Sequence, residues 1–369
     1  MQHPSDFISA PDRETIQQYA AAAEEQGLLH KAQLELIYKN RWFNLFVPHQ
    51  YGGLELTLPE ALKIEEGLAY ADGSTGWTVT LCSGANWFVG FLEQEVATAI
   101  FSNEKVCFAG SGRPTGRAKM LEDGYEIDGC WRYATGAPHA SIFTANCMLE
   151  KDGIILTDED GHPQIAPFWF YKEEVAIDKN WHTQGMIATA SESFSIKNLI
   201  VPANRRFLIN NSTAVLKQPV YQYPFLQFAE ATLSVNISGM AMRFLDLFHS
   251  FIAQRQPNKY ADEKSLQKLE TRCTLYLRML QKMREDLYQS VQVSWDELPS
   301  GMQSAGSLQH VSEACRTLAV KARKMTEDIY PFAGLAAADP STEINRVWRN
   351  MHTASQHSLL NFPVTEIEK

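Results

Sequence analysis

Hydrophobic periodicity switches twice along this chain, and those two switches constrain the fold more than any single motif does. From Asp12 to about Phe101 apolar residues recur at helical spacing, as in "RETIQQYAAAAEEQGLLHKAQLELIYKN". Pro48, Gly52 and Gly53 break the pattern in "PHQYGGLEL", and it resumes near Pro59. The apolar stripe beyond Gly76 predicts a buried helix. From Val106 to about Arg206 the runs shorten. "YEIDGCWRYATG", "SIFTANCMLE" and "ESFSIKNLIVP" are separated by Gly, Asp, Asn and Pro, the rhythm of antiparallel strands. From about Tyr223 to Leu360 long helical patterns return, enough for a four-helix bundle. The expected fold is α+β: an N-terminal helical domain over 1–105, a middle antiparallel β domain over 106–206 and a C-terminal four-helix bundle over 207–369.

Composition narrows what such a chain does. Of its 369 residues 45% are hydrophobic, enough to bury a large core. A net charge of -10 argues against a nucleic-acid partner, because neutralising phosphates needs a basic face. No apolar run is long enough to span a bilayer, and no basic-then-apolar leader opens the chain. The six cysteines are scattered without a CxxC pair. Neither a metal site nor a disulfide framework is therefore expected, and reduced thiols in a cytoplasm fit best.

"AGSGRPTGRA", residues 109–118, imitates a phosphate cradle. A dinucleotide fingerprint needs G-x-G-x-x-G between a strand and a helix. Here the third glycine comes one residue late, Pro114 intervenes and β-like segments follow. A P-loop would end in Gly-Lys-Ser/Thr, which Arg117-Ala118 does not supply. Both readings fail, and the stretch is expected to be a loop leading into the β domain.

In this order, "LFVPHQYGGLEL", "EEGLAYADGSTGW", "DGYEIDGCWRYATG" and "FSIKNLIVP" resemble the acyl-CoA dehydrogenase superfamily. "RVWRNMHTASQH" extends the likeness, which covers about residues 10 to 360. The resemblance implies a flavin, FAD or FMN, between the β domain and the bundle, in a homotetramer or homodimer. In "WRYATG" it places Tyr133 against the flavin and Thr135 near its N5, where a hydroxyl could donate. "NWHTQGMIATASESF" resembles a flavin-side segment through Gly185, Thr189 and Ser191. Arg346 and Arg349 are implied partners for phosphate or a neighbouring subunit.

Two departures set the branch. Dehydrogenases carry an acidic loop where this chain has "GSGRPTGRA", which instead resembles the flavin-dependent hydroxylases, with Ser111 facing substrate and Gly112 beside the flavin. The family's catalytic glutamate is missing from "MHTASQHSLLN", and His357 matches the hydroxylases' histidine, an acid or base suited to neutral pH. His352 is the weaker candidate. Asn86 stands where some hydroxylases place a second pocket histidine, and "YPFAGLAA" departs from the family's diphosphate motif at Tyr330 and Ala333.

The expected activity is a two-component monooxygenase that takes reduced flavin from a separate reductase and acts, with O2, on a small organic substrate, aromatic ones included. One alternative is an acyl-CoA dehydrogenase whose base is Glu230 on an earlier helix. The other is a flavin-binding protein that has lost catalysis, suggested by Asn86, Asn350 and Ala333.

Overall fold

Side-chain caps punctuate the helices where the sequence turns. Ser9 caps α1 (Ala10–Gln26) by accepting the Asp12 N–H, and Gly27 ends it in the left-handed region. α2 (Lys31–Lys39) follows, and a Thr57–Glu60 capping box opens α3 (Leu58–Ala71). Asp72 alone separates α3 from α4 (Gly73–Asn86), and its carboxylate accepts the Thr75 N–H at 2.8 Å. α5 (Gln94–Phe101) completes the first helical zone. The computed structural model describes residues 1–300 and 303–362; residues 363–369, the end of the C-terminal zone, lie outside them.

A seven-stranded sheet fills the middle: β1 (Phe108–Met120), β2 (Gly124–Ala134), β3 (Ile142–Lys151), β4 (Ile154–Ile155), β5 (Ile165–Tyr171), β6 (Ala176–Asp178) and β7 (Glu192–Pro202). The order is β4-β3-β1-β2-β7-β6, with β5 also on β3. All pairs are antiparallel except β1 with β3, which is parallel, so the sheet is mixed rather than purely antiparallel.

The glycine-rich stretch belongs to β1 and is not a loop ahead of the sheet. Ser111 pairs with Ala145 but Gly116 pairs with Cys147, so four residues of β1 bulge opposite one of β3. Packing explains two of the glycines. A Cβ at 110 would strike the Thr144 hydroxyl and carbonyl, and one at 116 would strike the Trp131 ring. A Cβ at 112 meets nothing, and the bulge is held by Asn146 Nδ2 donating to the Gly112 carbonyl at 2.9 Å.

The C-terminal zone holds α6 (Pro219–Gln222), α7 (Phe225–Gln254), α8 (Glu263–Asp296), α9 (Ala305–Ile329), α10 (Leu335–Ala338) and α11 (Glu343–Ala354). α7 packs against α8, α9 and α11, and α3 of the first zone closes its remaining side. That surround is why its sequence is apolar almost all round. One hydrophobic core therefore runs through both helical zones, while a second, built on Trp131, Phe143, Phe168, Phe170 and Phe194, lies within the sheet. Among the described residues no helix is long and apolar enough to cross a membrane.

Candidate active site

Where the sheet meets the helices a cavity of about 290 Å³ opens. Its walls are the α4 face at Thr80, Leu81, Gly84 and Ala85, the start of the β1 bulge at Ala109–Gly112, and β3 at Thr144–Asn146. The first turns of α7 supply Phe225, Phe228, Ala229, Thr232 and Leu233. Trp87 fixes that floor by stacking on Phe225 and Phe228 at 5.4 and 5.2 Å, with its own N–H donated to the Val220 carbonyl. Thr135 closes one side, and His357 and Leu359 reach in from the chain's C-terminal segment. The volume is near the lower end of the ~300–1,000 Å³ typical of ligand pockets.

Four residues expected from the sequence thus converge here: Ser111, Gly112, Thr135 and His357. Among the described residues His357 is the sole ionisable side chain lining the cavity. Burial holds its pKa below the usual imidazole value, so it stands neutral at pH 7. Its Nδ1 accepts the Leu359 N–H at 3.4 Å, and Trp77 meets the ring edge-on at 6.1 Å. The same contact fixes Nδ1 as an acceptor and leaves Nε2 as the protonated nitrogen.

Thr135 heads a buried chain of hydroxyls. Its Oγ1 lies 2.8 Å from Ser191 Oγ, which lies 2.8 Å from Thr189 Oγ1, which donates to the Met186 carbonyl at 2.8 Å. Thr189 and Ser191 therefore stand behind Thr135, outside the cavity lining. Tyr133 lies on the outer side of the same turn with φ at +72°, a costly backbone for an aromatic residue. The turn leaves its ring 45% exposed, with the guanidinium groups of Arg113 and Arg132 each 5.2 Å from the centroid.

Other expected residues have structural occupations. Asn86, expected at the substrate pocket, is fully buried and lies outside the lining of this cavity. Its Nδ2 donates to Asn44 Oδ1 at 2.6 Å and its Oδ1 accepts the Phe108 N–H at 2.8 Å, tying α4 to β1. Arg349 is likewise engaged: Nη2 donates to Glu24, Nε to Asn345 and Nη1 to the Gln184 carbonyl, at 2.6–2.7 Å. Its guanidinium is committed within the chain rather than offered to a phosphate. Gly185 sits so close to the Arg349 carbonyl that a Cβ would clash, and Asn350 Oδ1 accepts the neighbouring Met186 N–H at 2.6 Å. This seam docks α11 on the segment before β7. Arg346 is buried beside Asp72 and lowers that carboxyl's pKa against the larger, opposing effect of burial. Tyr330 stacks on Trp348 at 4.4 Å and donates to the Ala337 carbonyl. His352 faces Glu327 and Trp348, away from the cavity.

Glu230, the candidate dehydrogenase base, is also engaged. Arg316 donates to its Oε1 at 2.6 Å and Ser312 to its Oε2, and among the described residues neither it nor any other carboxylate lines the cavity. Residues that sequence reasoning missed include Thr80, Asn146 and the Phe225–Phe228 floor. The "PFLQF" opening of α7 carried the only signal for the last, two aromatics at helical spacing after a proline. Asp158, Asp160 and His162 could jointly face a cation but are exposed, and Asp158 Oδ1 already accepts the N–H groups of the other two.

The donor set fits a flat, anionic heteroaromatic such as a flavin: a buried hydroxyl at the cavity wall, open space over Gly112, and an exposed ring between two guanidinium groups.

Comparison with known proteins agrees. The sequence profile of the family described as acyl-CoA dehydrogenase, C-terminal domain, matches residues 231–362. The oxygenase subunit HsaA of a flavin-dependent monooxygenase from Rhodococcus jostii (strain RHA1) is 22% identical over 361 residues, covering 93% of this chain and 91% of that protein. Indole-3-acetate monooxygenase from Acinetobacter baumannii is 23% identical over 354 residues, covering 94% and 88%. Among solved structures, 3-HSA hydroxylase from Rhodococcus sp. RHA1 superposes with a TM-score of 0.86 at 21% identity, covering 95% of this chain and 91% of that one. XiaF from Streptomyces sp., in complex with FADH2 and glycerol, gives 0.85 at 17% identity, covering 97% and 91%.

Proposed function

Because this chain belongs to the acyl-CoA dehydrogenase superfamily, we propose that it is the oxygenase component of a two-component flavin-dependent monooxygenase acting on a small aromatic substrate. The observation that carries this reading is the cavity lining among the described residues: apolar and small residues, a few hydroxyls and amides, one neutral imidazole and no carboxylate. Abstracting a proton from carbon beside a thioester needs a carboxylate aimed at that carbon, and Glu230 is turned to Arg316 instead. A phenol or similar ring needs a proton held or moved at oxygen near neutral pH, which imidazole does well.

Reduced flavin, when bound, supplies the electrons that activate O2. Thr135 and Gly112 would hold its ring system, with Tyr133 and its two arginines on the outer side. Phe225 and Phe228 pack the substrate ring and exclude water. Ser111 orients the substrate's polar group, and His357 exchanges a proton with it. The chain has no nicotinamide fingerprint, so reduced flavin comes from a separate reductase, as the "oxygenase subunit" and "oxygenase component" names of relatives indicate for those proteins. The six unpaired thiols suit a reducing cytoplasm, and a homotetramer or homodimer is the assembly this reading favours.

His357→Ala tests the reading. With reduced flavin and O2, product formation should fall roughly 10²–10⁴-fold, the usual contribution of a positioned acid or base. Flavin affinity should stay within a few-fold. If acyl-CoA thioesters bleach the oxidised flavin anaerobically, and Glu230→Gln abolishes that bleaching, the protein is a dehydrogenase.

A further inference from the structure

The hydroxyl chain behind Thr135 has a direction. Thr189 Oγ1 sits 2.8 Å from the Met186 carbonyl, which only accepts, so the single hydroxyl hydrogen of Thr189 is spent there. The 2.8 Å contact between Ser191 and Thr189 must then use the Ser191 hydrogen. By the same step, the contact between Thr135 and Ser191 must use the Thr135 hydrogen. Thr135, Ser191 and Thr189 are 6%, 4% and 0% exposed, so bulk water does not offer the chain another acceptor. What Thr135 turns to the cavity is a lone pair without a hydrogen.

An acceptor-only hydroxyl discriminates between ligands that differ by a hydrogen. Reduced flavin carries a hydrogen on the central-ring nitrogen N5; oxidised flavin presents a lone pair at that atom. We propose that Ser191 and Thr189 are positioning residues that make this site select reduced over oxidised flavin by locking Thr135 as an acceptor. The inference rests on the reading that Thr135 meets that nitrogen. It also reverses the donor role expected of Thr135 from sequence. Two lone pairs pressed together in a buried site leave both unsatisfied, a mismatch worth roughly ten- to a hundredfold in affinity.

The test is anaerobic titration of the full-length protein with FAD and FMN, each oxidised and dithionite-reduced, followed by flavin fluorescence and calorimetry. The wild-type protein should bind the reduced form at least about tenfold more tightly. Ser191→Ala frees the Thr135 hydrogen to turn toward the ligand. Oxidised flavin should then bind more tightly, and the preference should fall by about tenfold or more. Thr189→Val removes the anchor at the other end and should act in the same direction, which guards against a variant that fails to fold. Thr189→Ser keeps the chain and should keep the preference. The midpoint potential of the bound flavin should drop in Ser191→Ala, a readout independent of turnover. Flavin bound in both states with a preference unmoved by Ser191→Ala and Thr189→Val overturns this inference alone. No binding of any form overturns the functional reading with it.

Discussion

Glu65 and Glu66 are neighbours on α3, both with no solvent exposure, yet they occupy opposite kinds of site. Glu66 is saturated: Arg284 reaches it with Nε and Nη2 at 2.6 and 2.9 Å, Tyr288 donates at 2.9 Å, and Ser238 donates as well. Among the described residues no cation pairs with Glu65. Ser83 donates to one oxygen at 3.3 Å, and among the described residues the other has no hydrogen-bond partner. Burial outweighs the Ser83 and Thr80 hydroxyls and pushes its pKa up to about 8, so it stands protonated at neutral pH. Thr80 lines the cavity, and Asn236, which donates to Thr80 at 2.8 Å, has an unpartnered oxygen too. Saturated charge pins α3 to α8, away from the cavity. Neutral groups gather beneath it and on its wall, where His357 is a further example. Pairing separates what holds the fold from what is available to chemistry.

The sharpest break is Arg284→Met. Removing the cation strands a fully buried carboxylate, which typically costs about 3–5 kcal/mol. Urea unfolding should show that loss, and Glu66→Gln added to it should recover most of the deficit. A loss below about 1 kcal/mol would mean that Glu66 and Glu65 are not different after all.

How much of this was legible in the sequence follows the same division. The zones, their order and the long helices came from periodicity, which local burial dictates. The convergence of Ser111, Thr135 and His357 came from the family likeness alone, since nothing in their spacing brings 111 near 357. For Asn86 and Arg349 the sequence shows a polar residue in a plausible place but not the partners that occupy it. The bulge at Ser111–Gly116 was unreadable because it depends on β3 lying parallel to β1, a pairing between segments with no local signature. Glu65 and Glu66 look identical in "IEEG"; Arg284, Tyr288 and Ser238, all more than a hundred and fifty residues later, tell them apart.

Glu65→Gln sharpens the comparison from the unpaired side. A carboxyl whose folded pKa lies near 8, above its ordinary 4.5, keeps a proton in the fold that the unfolded chain sheds. Its stabilising share is full below about pH 4.5 and is lost as pH rises toward 8. Glutamine has no proton to hold, so the variant should gain on the wild type across that window, by on the order of a few kcal/mol near pH 8. Paired unfolding curves at about pH 5 and pH 8 measure it. A variant equally unstable at both would place Glu65 with the saturated groups.

The smallest effect comes from His139, just past the Thr135 turn, whose Nε2 is buried without a partner among the described residues. Burial first, and the Lys172 charge second, lower its pKa from 6.5 to about 4. The sign is opposite to that of Glu65. The unfolded chain takes a proton as pH falls through 6.5 while the fold does not, so stability is full above 6.5 and declines as pH drops toward 4. Between about pH 7.5 and pH 5.5 the decline should be on the order of 1 kcal/mol from this residue. His357, also lowered by burial, adds to it in the same direction. His139→Asn removes the first contribution and leaves the second, so its stability should fall less steeply over that interval while the wild type and His139→Asn agree near pH 7.5 in slope. An unchanged slope in the variant would show that His139 finds a partner or water in solution, and would leave Glu65 as the unpaired group on which the comparison rests.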